Sequence, residues 1–242
     1  MRVLGFYFAY GKVKTAVNPF LHLRKKNLVQ STEIKQAIAQ DWLVTNGSQC
    51  IPIASMQEDL QKDSLAIPYR LYRFLTDVED IIWQEQDDHL RLQKICPLVR
   101  RLLNDSEWIL TSFALPDRET GWSVQMIYDE PDFALTVQTV VWSPQRVSSI
   151  HNHATWGIVA LIDGEEKNTF WQRSPSAEFP DRLVKTGEHT LTSDDILCLM
   201  PEAIHQIEAI GDEPTISFNV YGITNYSQRF EFDVEQHTAK IF

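Results

Sequence analysis

Apolar and polar positions follow two different periods along the chain. Between Leu65 and Asp105 the apolar residues recur at helical spacing: Leu71, Phe74 and Leu75, then Val78, Ile81 and Ile82, then Leu98, Leu102 and Leu103. Pro68 suits a first helical turn, Asp77 is placed to cap a following segment, and Pro97 is expected to break the pattern before a short last helix. Upstream, residues 2–10 read as a strand or edge segment. Ser31 or Thr32 is placed to cap a helix through Ile34, Ala37, Ile38 and Trp42, ended by the turn Asn46-Gly47. From Trp122 the period falls toward two. Phe133, Leu135, Val137, Thr139 and Val141 alternate with their neighbours up to Ser143-Pro144, as a strand requires. Short β-prone runs follow at Ile158–Ile162, Asn168–Trp171, Arg182–Lys185, His189–Leu191, Ile196–Met200, Ile204–Ala209, Thr215–Tyr221 and Phe230–Val234. Asp163-Gly164, Ser174-Pro175, Ser193-Asp194 and Gly211-Asp212 punctuate them. Many short strands with regular turns predict a barrel or sandwich.

Within that β region lies Ser149-Ile150-His151-Asn152-His153-Ala154-Thr155-Trp156-Gly157. On a strand, residues two apart share a face, so His151 and His153 aim at one point and make half of a metal site. His205, in the strand expected after Pro201, is the candidate third ligand. The distance along the chain leaves room for about four or five strands, enough to bring the two segments side by side in a small closed barrel. Of the remaining histidines (His22, His89, His189, His237), only His189 falls in an expected strand, and it has no partner at ligand spacing.

These residues resemble the first motif of the cupin superfamily, which reads His-x-His, three residues, Glu, six residues, Gly. His153, Gly157 and Gly164 keep that spacing, with Gly157 in place of the usual Glu ligand. A cupin with three histidines and no carboxylate is similar to the thiol dioxygenases, in particular the bacterial cysteine and 3-mercaptopropionate dioxygenases. Their His-x-His-x-x-Trp-Gly run matches His151, His153, Trp156 and Gly157. The resemblance covers roughly Gly121 to Phe232, about half the chain. It implies a mainly β fold, a cupin double-stranded β-helix closed as a small β-barrel over residues 121–242, with a mainly helical N-terminal region, 1–120, packed on it. It also implies a run Ser-x-His-x-Tyr whose members hydrogen-bond in a chain toward the metal. Here the run is Ser217-Phe218-Asn219-Val220-Tyr221, with Asn219 where His is expected; Asn can hydrogen-bond but cannot carry a proton as imidazole does. Thiol dioxygenases further hold the substrate carboxylate with an Arg upstream of the motif. The corresponding stretch, Trp122–Tyr128, offers Gln125 and no Arg, and Arg146 reads as a solvated loop residue. The substrate is therefore expected to lack a carboxylate or to hold it differently. Some members carry a cysteine–tyrosine crosslink; Gly157 stands at the position of that cysteine, so none is expected.

The chain has 242 residues, 43% of them hydrophobic, enough for a sizeable core, and a formal net charge of −11. That balance argues against nucleic acid and anionic membranes as partners, and no run approaches the ~18 apolar residues of a transmembrane span. The apolar N-terminus lacks a preceding basic region and does not read as a signal peptide. Three cysteines (Cys50, Cys96, Cys198) without a CxxC motif suggest a reducing, cytoplasmic compartment, and Cys198 reads as a buried small hydrophobe. Glu85, Asp87 and Asp88 read as a solvated helix face. Three neutral imidazoles leave a divalent ion its full charge and open positions for substrate and O2, which suits Fe(II), although another divalent metal would accept the same ligands. The expected activity is thus an iron(II)-dependent oxidation of a small thiol to a sulfinate with O2, with Tyr221, Ser217 and Asn219 orienting the bound species and Gln125, Trp142 and Trp156 around the substrate. The expected partners are that small molecule and O2, the chain acting as a monomer or homodimer. The rival readings are a non-catalytic metal- or ligand-binding cupin, and a three-histidine oxygenase or isomerase with a non-thiol substrate.

Overall fold

In the computed structural model, residues 40–53, 68–111, 113–131 and 133–242 are described. All fall in one unit, Gln36–Phe242. The expected strand at 2–10 and the start of the Ser31/Thr32-capped helix lie outside the described residues. Trp42, assigned to that helix from its spacing, stands instead in a strand, β1 (Asp41–Val44), and Asn46-Gly47 turns the chain into β2 (Cys50–Ile53) rather than ending a helix. The reason is tertiary: β1 pairs in parallel with a strand far along the chain, a contact that local periodicity does not register.

Two helices follow, α1 (Leu71–Gln84) and α2 (Asp88–Asp105). Asp87, not Asp77, caps the second: its side chain accepts from the Leu90 amide at 2.9 Å. Asp77 lies inside α1, where it accepts from the Tyr69 hydroxyl at 2.7 Å and pairs with Arg73 at 2.9 Å. Pro97 lies within α2 and does not end it. An internal proline costs about 3 kcal/mol, which the burial of Leu92, Ile95, Val99 and Leu102 around it offsets. The acidic cluster is partly engaged: Glu85 pairs with Lys94 at 3.0 Å and Asp88 with Arg91 at 2.7 Å.

Eleven further strands complete the fold: β3 (Trp122–Asp129), β4 (Thr136–Trp142), β5 (Ile150–Asn152), β6 (Gly157–Asp163), β7 (Glu165–Arg173), β8 (Leu183–Leu191), β9 (Ile196–Leu199), β10 (Ile204–Ile210), β11 (Thr215–Tyr221), β12 (Phe230–Asp233) and β13 (Thr238–Ile241). They form a seven-stranded sheet in the order β2-β1-β9-β6-β11-β4-β3 and a six-stranded sheet in the order β13-β12-β5-β10-β7-β8. Apart from β1–β9, every pairing is antiparallel. The result is a mainly β, two-sheet barrel with two helices against one sheet.

The central strands are buried on both faces, which is why they read as continuous apolar runs. Ile158, Ala160 and Ile162 of β6, Ile196 and Cys198 of β9, and Ile216, Phe218 and Val220 of β11 belong to one core with Phe74, Val78, Leu92, Ile95 and Val99 of the helices. The intervening Val159, Leu161, Leu197 and Leu199 pack toward Phe170 and Leu191 of the six-stranded sheet. On β11 the residues that alternate with the helix-facing set are Ser217, Asn219 and Tyr221, which line a cavity instead. Arg100 of α2 pairs with the buried Asp41 of β1 and donates to the Asp194 carbonyl at 2.9 Å, tying helix to sheet. At the tight turn after β6, Gly164 has φ 83°, and a Cβ there would lie 2.8 Å from the Pro214 carbonyl oxygen, so glycine is required. Among the described residues no helix is long and apolar enough to cross a membrane.

Candidate metal centre and its cavity

His151 of β5 and His205 of β10 are directly opposed in the antiparallel register of the six-stranded sheet. His153 follows β5 on the same face. The ligand-capable nitrogens of the three rings all lie within 4.8 Å of one another. His153 Nε2 stands 3.0 Å from His205 Nε2. The other nitrogens fix the tautomers. His151 Nδ1 donates to the Ser149 carbonyl at 3.0 Å, and His205 Nδ1 donates to Asn168 Oδ1 at 2.9 Å. His151 and His205 therefore keep a bare Nε2 for the common point, as metal-bound imidazoles do, and His153 brings its own Nε2 there. Burial pushes all three rings below the usual histidine range, and for His153 and His205 mutual repulsion adds to it, so the trio stays neutral and able to donate lone pairs. Three neutral, oriented nitrogen donors in one pocket fit a divalent cation; among the described residues they are the group with metal-ligand geometry.

Behind His205 lies a polar chain on β7. Asn168 Nδ2 donates to Glu166 Oε1 at 2.9 Å, and Glu166 is 1% exposed. Burial raises its carboxyl to about 7, partly countered by the Asn168 hydrogen bond. Both residues are on β7, beside β10, two apart and hence on one face. The signal was present: two polar residues alternating inward on the strand next to a histidine ligand.

The cavity in front of the trio has a volume of about 620 Å³. Tyr221, Ser217 and Asn219 all line it. The Tyr221 ring stacks on His153, centroids 4.8 Å apart at 23°. Its hydroxyl is raised by burial and by the nearby Glu166 charge, so it remains protonated and a donor. The hydrogen-bonded chain expected among the three is not formed. No hydrogen bond joins them, and Asn219 Oδ1 is buried without a partner. Trp142 lines the cavity, beside Trp122 at 5.8 Å. Gln125 and Trp156 are not among the lining residues. On β3, Trp122, Val124 and Met126 face the cavity, and strand alternation turns Gln125 the other way. Trp156, 4% exposed, packs in the core shared with the helices and over Gly222.

Gly157, where the resemblance to the cupin motif would place a carboxylate, has a steric reason. A Cβ there would lie 2.8 Å from two atoms of the Tyr221 ring. The missing side chain is the space that lets Tyr221 lie against His153.

The cation that sequence reasoning did not find in Trp122–Tyr128 comes from the other end of the domain. Arg229, just before β12, lines the cavity, and its buried Nε has no hydrogen-bond partner. Burial lowers its pKa, while Tyr226 and Tyr221 act to raise it. Its guanidinium carbon lies 4.4 Å over the Phe242 ring, and that ring stacks on His151 at 5.8 Å. A loop arginine carries no period, so no pattern pointed to it.

No family model matches the chain. Several solved structures resemble it loosely. An oxalate oxidase in complex with the substrate analogue glycolate is 13% identical, with a TM-score of 0.36, over 48% of this chain and 61% of its own. A cupin 2 conserved barrel domain protein from Salinispora arenicola is 16% identical, with a TM-score of 0.34, over 46% of this chain and 82% of its own. KdgF from Halomonas sp. is 13% identical, with a TM-score of 0.36, over 47% of this chain and 91% of its own. This chain thus spans less than two thirds of the oxalate oxidase. Likenesses of this size say nothing of substrate or metal, and the barrel stands on the strand pairing and two-faced burial described above.

Proposed function

We propose that this protein is an iron(II)-dependent cupin oxygenase that oxidises a thiol to a sulfinate, both atoms of O2 going to sulfur. The observation that carries the reading is Tyr221, a protonated phenol stacked on a ring of the three-histidine centre, with glycine where a carboxylate ligand would otherwise stand. Iron(II) on three neutral imidazoles supplies redox access to O2 that zinc, with the same ligands, lacks. The protein's own groups do the rest. Ser149 and Asn168 hold two of the imidazoles in one tautomer. Tyr221 offers its O–H to an oxygen or sulfur atom of the bound species, and the unpartnered Asn219 Oδ1 accepts from a donor on the substrate. Val159, Val140 and Trp142 give the cavity an apolar wall.

The test is oxygen uptake by protein reconstituted with iron under anaerobic conditions and then offered a panel of thiols. One O2 consumed per sulfinate formed is the expected result. No uptake with any thiol at full iron occupancy overturns the reading. Tyr221→Phe should lower turnover by about 10²-fold or more with iron affinity unchanged. A second reading, a three-histidine oxygenase or isomerase acting on a non-thiol, is favoured by one observation: the cavity is large for a small thiol. Uptake without sulfinate would select it.

A further inference from the structure

Arg229 is positioned from both sides by the segment that carries the metal ligands. Asn152, between His151 and His153, donates through Nδ2 to the Gln228 carbonyl at 2.9 Å and accepts at Oδ1 from the Phe230 amide at 2.7 Å. The residue thus bracketed is Arg229. Farther along the same loop, the Asn225 amide donates to the Ala154 carbonyl at 3.1 Å. Held this way, the Arg229 side chain enters the cavity, yet it makes no hydrogen bond or ion pair with any described residue, and its Nε is buried. The acidic neighbours are occupied: Glu231 pairs with Lys240 at 2.9 Å, and Glu166 accepts from Asn168. Arg146, the other cation at the cavity, is exposed on its loop. A fixed, partly desolvated guanidinium fork with open donors is built for a carboxylate.

Across the cavity stands the opposite chemistry. Trp122, Val124 and Met126 project from the edge strand β3, and Met126 is 48% exposed. With Trp142 they form an apolar wall that no described residue covers. A volume of about 620 Å³ lies in the range of sites for drug-sized ligands, ~300–1,000 Å³, and exceeds what a molecule of cysteine size would fill.

We propose that the cavity binds an amphipathic organic acid, its carboxylate on Arg229 and its apolar body along Trp122, Val124 and Met126, with a third group reaching the histidine trio. This takes from the proposed function only that the histidine trio is the reacting end of the cavity, and it rests neither on a bound metal nor on thiol oxidation.

The full-length protein, metal-free and zinc-loaded, is titrated calorimetrically with three probes: 3-phenylpropanoate, propanoate and 3-phenylpropan-1-ol. The first should bind at least tenfold more tightly than either of the others, in both metal states. Arg229→Gln should remove the preference of acid over alcohol while leaving alcohol binding intact; Arg229→Lys should retain part of it, which guards against a folding defect. Met126→Ser, on an exposed edge, should weaken the phenyl probes and not propanoate. Equal affinity for acid and alcohol, an unchanged preference in Arg229→Gln, or an acid preference that vanishes with the metal would each overturn the proposal. Failure of oxygen uptake with thiols would leave these binding results standing, so the two readings fail separately.

Discussion

Gly157 is where composition and mechanism meet. Its position carries a carboxylate in the usual cupin motif, yet here a Cβ would press on the Tyr221 ring at 2.8 Å. That ring is pinned between Gly157 and His153, so it cannot swing away without losing its stacking. Gly157→Ala should therefore lower stability by about 1–3 kcal/mol, as overpacking does, and displace the phenol; urea titration with a turnover assay checks both. Unchanged stability would mean the ring is free to move. Asn168 gives a second test. It is the group that holds His205 in its metal-facing tautomer. Asn168→Ala should weaken divalent-metal affinity by about 10–100-fold, read by competition with a chromogenic chelator, with the fold retained. An unaltered affinity would show that packing alone orients the ring.

Among the elements, β4, β6, β9, β10 and β11 were legible because each buries at least one face and so shows either alternation or an unbroken apolar run, whereas β8 (Leu183–Leu191), buried only at its two ends, reads from sequence as two separate runs, Arg182–Lys185 and His189–Leu191. Thr215–Tyr221 was read with the bounds that β11 has. The histidine trio was legible for the same reason: period two sets His151 and His153 on one face, and antiparallel register supplies His205. What was not legible depends on contacts made across the fold. β1 exists through its parallel pairing with β9, and Pro97 stays inside α2 because tertiary burial outweighs its local cost. Arg229 sits in a loop whose course is set by Asn152, a residue that sequence reasoning passed over between two histidines. The substitution Asn152→Ala would leave the Phe230 amide and the Gln228 carbonyl unpaired at about 1–3 kcal/mol each. Hydrogen exchange should quicken at the Phe230 amide while Ile158–Leu161 in β6 remain protected. Uniform quickening across both strands would show instead that the loop and barrel open as one unit.

The barrel's stability responds to pH through the enclosed carboxyl of Glu166 and through the buried histidines. Glu166 is held at about 7 in the folded chain against 4.5 for the ordinary group, with burial as the main cause. A carboxyl raised on folding is protonated in the native state over a range where the unfolded chain has already ionised. Its contribution is intact below about pH 4.5, is lost progressively as the pH rises to about 7, and is flat above that. A shift of this size corresponds to about 3 kcal/mol at most. The buried histidines act in the opposite sense, since their depressed values make the fold gain stability as pH rises toward the ordinary histidine range. Comparing variants cancels that background. In metal-free protein, Glu166→Gln should match the parent near pH 4.5 and exceed it by up to about 3 kcal/mol at pH 8, measured by urea unfolding across the range. Should the variant instead be the less stable at pH 8, the ionised carboxylate would be the form that the barrel holds. Asn168 would then be donating to a charge, and the chain from Glu166 to His205 would carry a negative end toward the metal centre rather than a neutral one.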